Sequence, residues 1–287
     1  MADANRSQAF PAESSSASSG NSSSIAGRIA QNRVFEHFAR AGFVMSGIVH
    51  LIIGYLAIRI AFGGAGGTAD QSGAMAELAA KPGGILALWT AVAAFLVMAL
   101  WRLAETAFGS SSHPDADSKK VEVLDRLKAF CVAVVYFAFA LSALGFARGR
   151  GKSSGAQSAG LTARLMHTTT GTVGLVAGGL IIIAIGGYHV YKGISQHFLT
   201  DLKGITSDFV RWLGTIGYLA KGLAIAAAGL LIILAANQSQ PNRATGLDGA
   251  FKTLGAQPFG AVLLVVAGLG IITYGLYSFA MARYVKM

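Results

Sequence analysis

The chain has 287 residues, of which 53% are hydrophobic and 13% charged, with a formal net charge of +10. A soluble domain carries about 25% charged residues, so this composition, with its mean hydropathy of +0.55, excludes an ordinary soluble protein and points to a membrane bundle. The basic residues are scattered through loops and helix ends, which excludes a nucleic-acid partner and makes anionic lipid headgroups the expected counter-charge.

Taken in order, residues 1–24 contain the tract AESSSASSGNSSS, too poor in apolar surface to offset the entropy of ordering, and are expected to form a disordered tail. The tail lacks the basic start, apolar core and small-residue cleavage site of a signal peptide. From Ile25 to Arg40, Ile25, Ile29, Phe35 and Phe38 recur at helical spacing beside Arg28, Arg33 and Arg40, a pattern suited to an amphipathic helix at the membrane interface. Ala41 to Ile60 follows, AGFVMSGIVHLIIGYLAIRI, long enough at 1.5 Å per residue to cross a hydrocarbon core of ~30 Å. Five more such stretches place membrane helices near 40–62, 84–106, 127–147, 169–192, 213–235 and 259–281. Amphipathic segments also precede the third span (Val121, Leu124, Leu127) and the fifth (Phe198, Leu202, Ile205, Phe209, Leu213). The single cysteine, Cys131, lies in an apolar run and is expected to be a buried, inert thiol.

The spans repeat. An offset of 175 superimposes Gly42, Phe43, Gly47 and Gly54 on Gly217, Tyr218, Gly222 and Gly229, and an offset of 176 superimposes Gly73, Leu78, Pro82, Gly84 and Trp101 on Gly249, Leu254, Pro258, Gly260 and Tyr277. Offsets of 86 and 87 place Val135 on Val49, Leu165 on Leu78, Gly171 on Gly84 and Tyr188 on Trp101. The fold class is therefore all-α: a polytopic membrane protein of six transmembrane helices in three parallel two-helix hairpin repeats with amphipathic interfacial helices. The copies cover 25–110, 118–195 and 196–287.

The elements Ala39–Arg40–Ala41–Gly42, Asp70 with Gly73–Ala74 and Leu78–Ala79, Pro82 with Gly84, and Leu100–Trp101–Arg102, joined to two further helix pairs, resemble the bacterial membrane family called domain of unknown function 1206. The resemblance runs through the whole chain apart from the serine-rich tail. It implies three tandem pairs of transmembrane helices and, the family having no established activity, carries no functional residue with it. The middle copy departs from the pattern, with Thr169 and Thr170 where the others have a proline segment.

Orientation follows from the Lys and Arg bias of the loops. Twelve basic residues fall on the side of the termini and seven on the other, which predicts that both termini are cytoplasmic in a bacterial inner (plasma) membrane, although the third connection, RGRGKSSGAQSAGLTAR, opposes that bias.

Charged groups at membrane depth cost several kcal/mol unless paired or hydrated, which marks the candidates. Lys221, two turns into the fifth span, could bind an anion or relay a proton; snorkelling of its stem to the cytoplasmic headgroups is the preferred expectation. Glu105 and Lys192 occupy equivalent helix ends and could meet across a repeat axis, but Arg102, one turn from Glu105, offers a nearer partner. Arg59 is expected to snorkel outward. His50, mid-span, aligns with Tyr136 and Ile225; it could carry protons or ligate a metal, but a histidine satisfied by neighbouring helices is the plainer reading. His189 and Lys192, with Tyr188 and Tyr191, form either a headgroup or quinone-like site or an aromatic belt at the interface. Gly174 with Gly178 and Gly222 with Ala226 suit close helix packing. Arg148, Arg150, Lys152 and Arg164, with no nearby carboxylate, form a candidate patch for anionic partners.

No phosphate loop, dinucleotide-binding, metalloprotease or paired-cysteine motif stands in a credible context. No catalytic, metal or cofactor site is expected, and the chain is read as a non-enzyme. The preferred expectation is a non-catalytic membrane module that packs with lipids, with a membrane-protein partner or as a homo-oligomer. The alternative is a small-solute transporter or channel using Lys221, His50 and Glu105. A central cavity lined by those groups would favour the second; a filled centre would favour the first.

Overall fold

The computed structural model describes residues 33–64, 67–108, 119–203 and 207–284. The serine-rich tail, the leading segment up to residue 32 and the side chains of Phe35, Phe38, Val121 and Leu124 lie outside the described residues. Long helices α1 (Arg33–Ala61), α3 (Gly84–Phe108), α4 (Lys119–Ala147), α6 (Thr169–Ile194), α7 (Asp208–Asn237) and α9 (Gly260–Tyr284) alternate with short helices α2 (Gln71–Ala79), α5 (Ser154–Met166) and α8 (Gly246–Gly255). Each long helix contains one of the six spans, and the three copies run parallel. The fifth span begins at Asp208, ahead of the expected 213, because Ser207 caps it by accepting the Val210 amide.

Each copy thus consists of a rising helix, a connection holding a short helix, and a returning helix. The turn into the returning helix is built alike in the outer copies: Gly83 and Phe259 hold the same place after a proline, at φ of +75° and +62°. The middle copy has no such turn. There Thr168 accepts the Gly171 amide and caps α6, so Thr169 and Thr170, at the places of Pro82 and Gly83, lie in the first turn of the helix.

The amphipathic segments leading into the spans take different forms. At Lys119 and Arg33 the helix runs unbroken into the membrane. Before the fifth span, Gln196 at φ 54° turns the chain into a short 3-10 helix, His197–Asp201, and Phe198 and Leu202 are buried inside the protein instead of in lipid. Phe198 stacks on Tyr218 and meets Tyr277 edge-on, closing the terminal end of the bundle with an aromatic core. The separate short helices of all three copies sit at the opposite, connection end.

The closest helix pairs join different copies. The second helix of each copy lies along the first helix of the next: α3 on α4, α6 on α7, and α9 back on α1, so the three copies close a ring. Glycines seven residues apart make this possible. Gly54 faces the Gly268 carbonyl and Gly47 the Gly275 carbonyl; Gly222 faces the Gly186 carbonyl and Gly229 the Gly179 carbonyl. The repeat offsets carry the same places to Val92 and Ala99 on α3 and Ala133 and Ala140 on α4, and all four are buried. In lipid there is no hydrophobic drive between helices, so association depends on this close backbone approach and the dispersion it permits. The ring is uneven: α7 and α9 also pack well, whereas α4 and α6 barely touch. A Cβ at Gly174 or Gly178 would meet no atom within 4 Å, so among the described residues neither glycine packs against another helix.

Hydrogen bonds tie the connections together. The Ala69 amide donates to Asp248 of the third copy (2.9 Å), and the Ser154 amide of the second donates to the Ser72 hydroxyl (2.9 Å), which itself donates to Asp70 (2.6 Å). Asp70, Ser72 and Asp248 are all buried, so these bonds are shielded from competing water. Arg59 pairs with Glu77 at 3.8 Å rather than reaching outward alone. Cys131 is exposed, which corrects the expected burial. An apolar run in a membrane helix can face lipid as readily as protein.

Candidate functional site

A cavity of about 290 Å³ lies in the ring, between α1, α3, α4, α7 and α9. Its polar wall is Ser46, His50, Gln71, Tyr136, Lys221 and Tyr274; its apolar wall includes Phe43, Val49, Phe95, Met98 and Phe139. The repeat offsets explain the gathering: Ser46 and Lys221 hold one repeat position, His50 and Tyr136 a second, Met98 and Tyr274 a third. Positions made equivalent by the repeat offsets thus meet at one cavity.

Lys221 points inward. Its Nζ stands 4.0 Å over the ring of Tyr274, and the side chain is partly buried against the cavity instead of snorkelling to the headgroups. The aromatic face attracts the ammonium but does not neutralise it. Among the described residues no carboxylate lies within ion-pairing distance of it.

The His50 ring also meets Tyr274, 4.7 Å between centroids and tilted by 56°. Its Nδ1 lies 2.7 Å from the Ser46 carbonyl. A carbonyl only accepts, so Nδ1 carries the proton and, in the neutral imidazole, Nε2 keeps its lone pair. The ring's hydrogen bond is thus made within its own helix, and a neighbouring helix supplies the contact with Tyr274. Among the described residues no three His, Cys, Asp or Glu groups come together as a metal site.

The remaining candidates sort away from the cavity. Arg102 donates to Glu105 at 2.7 Å one turn along α3, so Glu105 is occupied locally and does not line the cavity. Lys192 pairs with Asp201 at 2.6 Å, not with Glu105, and its Nζ also lies 5.5 Å from the Tyr218 ring centre. His189 bonds the Ile185 carbonyl and lies 5.9 Å from the Tyr218 ring, tilted to it, whereas Tyr188 and Tyr191 turn outward, 56% and 63% exposed, as an aromatic belt would. The four-residue basic patch also divides. Arg148 lies over Trp89 at 6.0 Å, Arg164 is exposed at the end of α5, and Arg150 and Lys152 line a second cavity.

Sequence reasoning missed Gln71 and Tyr274, and noted Tyr136 only as the residue aligned with His50. A signal was present for Tyr274: the offset of 176 sets it on Met98, and both positions fall one helical turn before the aligned pair Trp101 and Tyr277.

Comparison with known proteins adds kinship but no activity. The chain is 28% identical over 261 residues to the "Uncharacterized protein YxxB" of Bacillus subtilis (strain 168), covering 88% of this chain and 92% of that protein. No solved structure matches it. The family described as Domain of Unknown Function (DUF1206) matches three times in tandem, at residues 41–109, 127–196 and 216–285, each match spanning one rising and one returning helix, and the chain belongs to that family.

Proposed function

We propose that the cavity is a binding site for a small anionic solute and that the protein is a carrier or channel for it. The observation that supports this reading is Lys221: a cation inside the ring, turned toward an open volume, with no carboxylate beside it among the described residues. Holding an unpaired charge at such a depth costs on the order of 2.5–3.5 kcal/mol on insertion scales, and a bound anion supplies the missing counter-charge. His50, Ser46 and Tyr136 offer hydrogen-bonding groups around it. The reading makes the protein a non-enzyme of the bacterial plasma membrane with both termini cytoplasmic, as the twelve-to-seven loop bias suggests. The test is binding and flux in reconstituted vesicles with a panel of small anions and cations, for the native chain and Lys221→Met. Anion-selective uptake lost in the variant supports the reading; uptake indifferent to Lys221, or no anion binding at all, overturns it.

A second reading, a module that packs with a partner, draws on one feature. Gly174 and Gly178 present a small-residue surface of α6 with nothing against it among the described residues, the kind of surface on which membrane helices associate. Disulfide cross-linking of Gly174→Cys in a Cys131→Ser background, with Val173→Cys as the control, tests it.

A further inference from the structure

The central cavity has a neighbour. A second cavity of about 430 Å³ lies at the connection end of α4, against the start of α5, with Arg150 and Lys152 on its wall and no carboxylate among the residues lining it. The two volumes share Gln71 and Phe139. Gln71 is the first residue of α2, next to Asp70 and Ser72, whose bonds fix that helix end to α5. Phe139 lies on α4 one turn beyond Tyr136, its ring 5.7 Å from that of Phe95. The residues common to both volumes are therefore a glutamine at a helix end tied to α5 and an aromatic ring packed on Phe95.

We infer that the two cavities are successive stations on one route for a monovalent organic anion, which arrives over Arg150 and Lys152, passes between Gln71 and Phe139, and settles against Lys221. This rests on the reading of the central cavity as an anion site and names its solute and its path. The charge pattern sets the valence. Two cations line the outer cavity and one lines the inner, so a monoanion is compensated at both stations, whereas sulfate or a phosphate dianion would carry an uncompensated charge into the inner one. The walls set the rest. Phe43, Phe95, Met98 and Phe139 suit an apolar body, and a volume near the lower end for ligand sites keeps that body small. A short-chain or aromatic monocarboxylate meets both conditions, its carboxylate toward Lys221 and Tyr136.

Benzoate, butyrate and sulfate are the probes, with the full chain in lipid nanodiscs, binding followed by calorimetry and association by stopped-flow fluorescence. The expected result is binding of benzoate or butyrate at least tenfold tighter than that of sulfate and lost in Lys221→Met. In the double variant Arg150→Gln, Lys152→Gln, association should slow by about tenfold at low salt, with a weaker salt dependence and an unchanged dissociation rate, because steering charges act on encounter. Arg150→Lys with Lys152→Arg should restore the rate, and Phe139→Ala should speed both association and dissociation. An unchanged association rate in the double variant, alongside Lys221-dependent binding, overturns the route. Lys221-dependent binding of sulfate in preference to the carboxylates overturns the solute class while leaving the anion site standing. No Lys221-dependent binding of any anion overturns the anion site itself.

Discussion

Replacing Gly54 with alanine should loosen the ring at the joint between the last copy and the first. A Cβ built there would stand 2.5 Å from the Gly268 carbonyl oxygen and 2.6 Å from the Ile272 side chain. Backbone cannot rotate out of the way, so α1 and α9 must part by about 0.9 Å to restore an ordinary contact of 3.4 Å, and the packing along both helices weakens with them. Overpacking of this kind costs about 1–3 kcal/mol, which for a protein of this size lowers the midpoint by roughly 2–12 °C. Gly186→Ala should behave alike, since its Cβ would meet the Gly222 carbonyl at 2.6 Å across α6 and α7. Gly178→Ala is the control: nothing lies within 4 Å, and alanine has the better helix propensity. Thermal unfolding of the three variants in one detergent decides the matter. Midpoints for Gly54→Ala and Gly186→Ala equal to or above that of Gly178→Ala would refute the closed ring.

Two further outcomes are expected. Asp248→Ala leaves the Ala69 amide without its acceptor in a buried place and should cost about 1–3 kcal/mol, whereas Asp248→Asn keeps an acceptor oxygen and should cost less; unfolding of the pair checks it. A pyrene maleimide on Cys131, the single cysteine, should be quenched by brominated lipid more than by aqueous iodide, since the thiol is exposed on a membrane helix; the opposite order would refute its place in lipid.

Six runs of about twenty apolar residues can be satisfied in lipid only as helices, which is why the spans were legible from composition alone. The repeats were legible too, because Gly47 and Gly54 match Gly222 and Gly229 at one offset. What those glycines touch was not. Spacing shows that a helix has a small face but not which neighbour fills it, and two of the contacts span more than two hundred positions, from Gly47 to Gly275 and from Gly54 to Gly268. The same limit hid the cavity. Lys221 has a stem long enough to reach either headgroups or the bundle interior, and only the position of Tyr274 decides between them. Cys131 was misread because hydropathy measures avoidance of water, and on a membrane helix lipid meets that demand without burial in protein. Glu105 was resolved correctly by the nearer distance: Arg102, three residues before it, reaches it first.

The proposed anion site beside Lys221 is open to direct observation. A structure determined with 4-bromobenzoate, read by anomalous scattering from bromine, tests it most directly. The expected result is a peak inside the ring among Phe95, Phe139 and Tyr136, with the carboxylate within hydrogen-bonding reach of the Lys221 Nζ, and its disappearance in Lys221→Met. Bromine found only on the lipid-facing surface, or an unchanged peak in the variant, would contradict it.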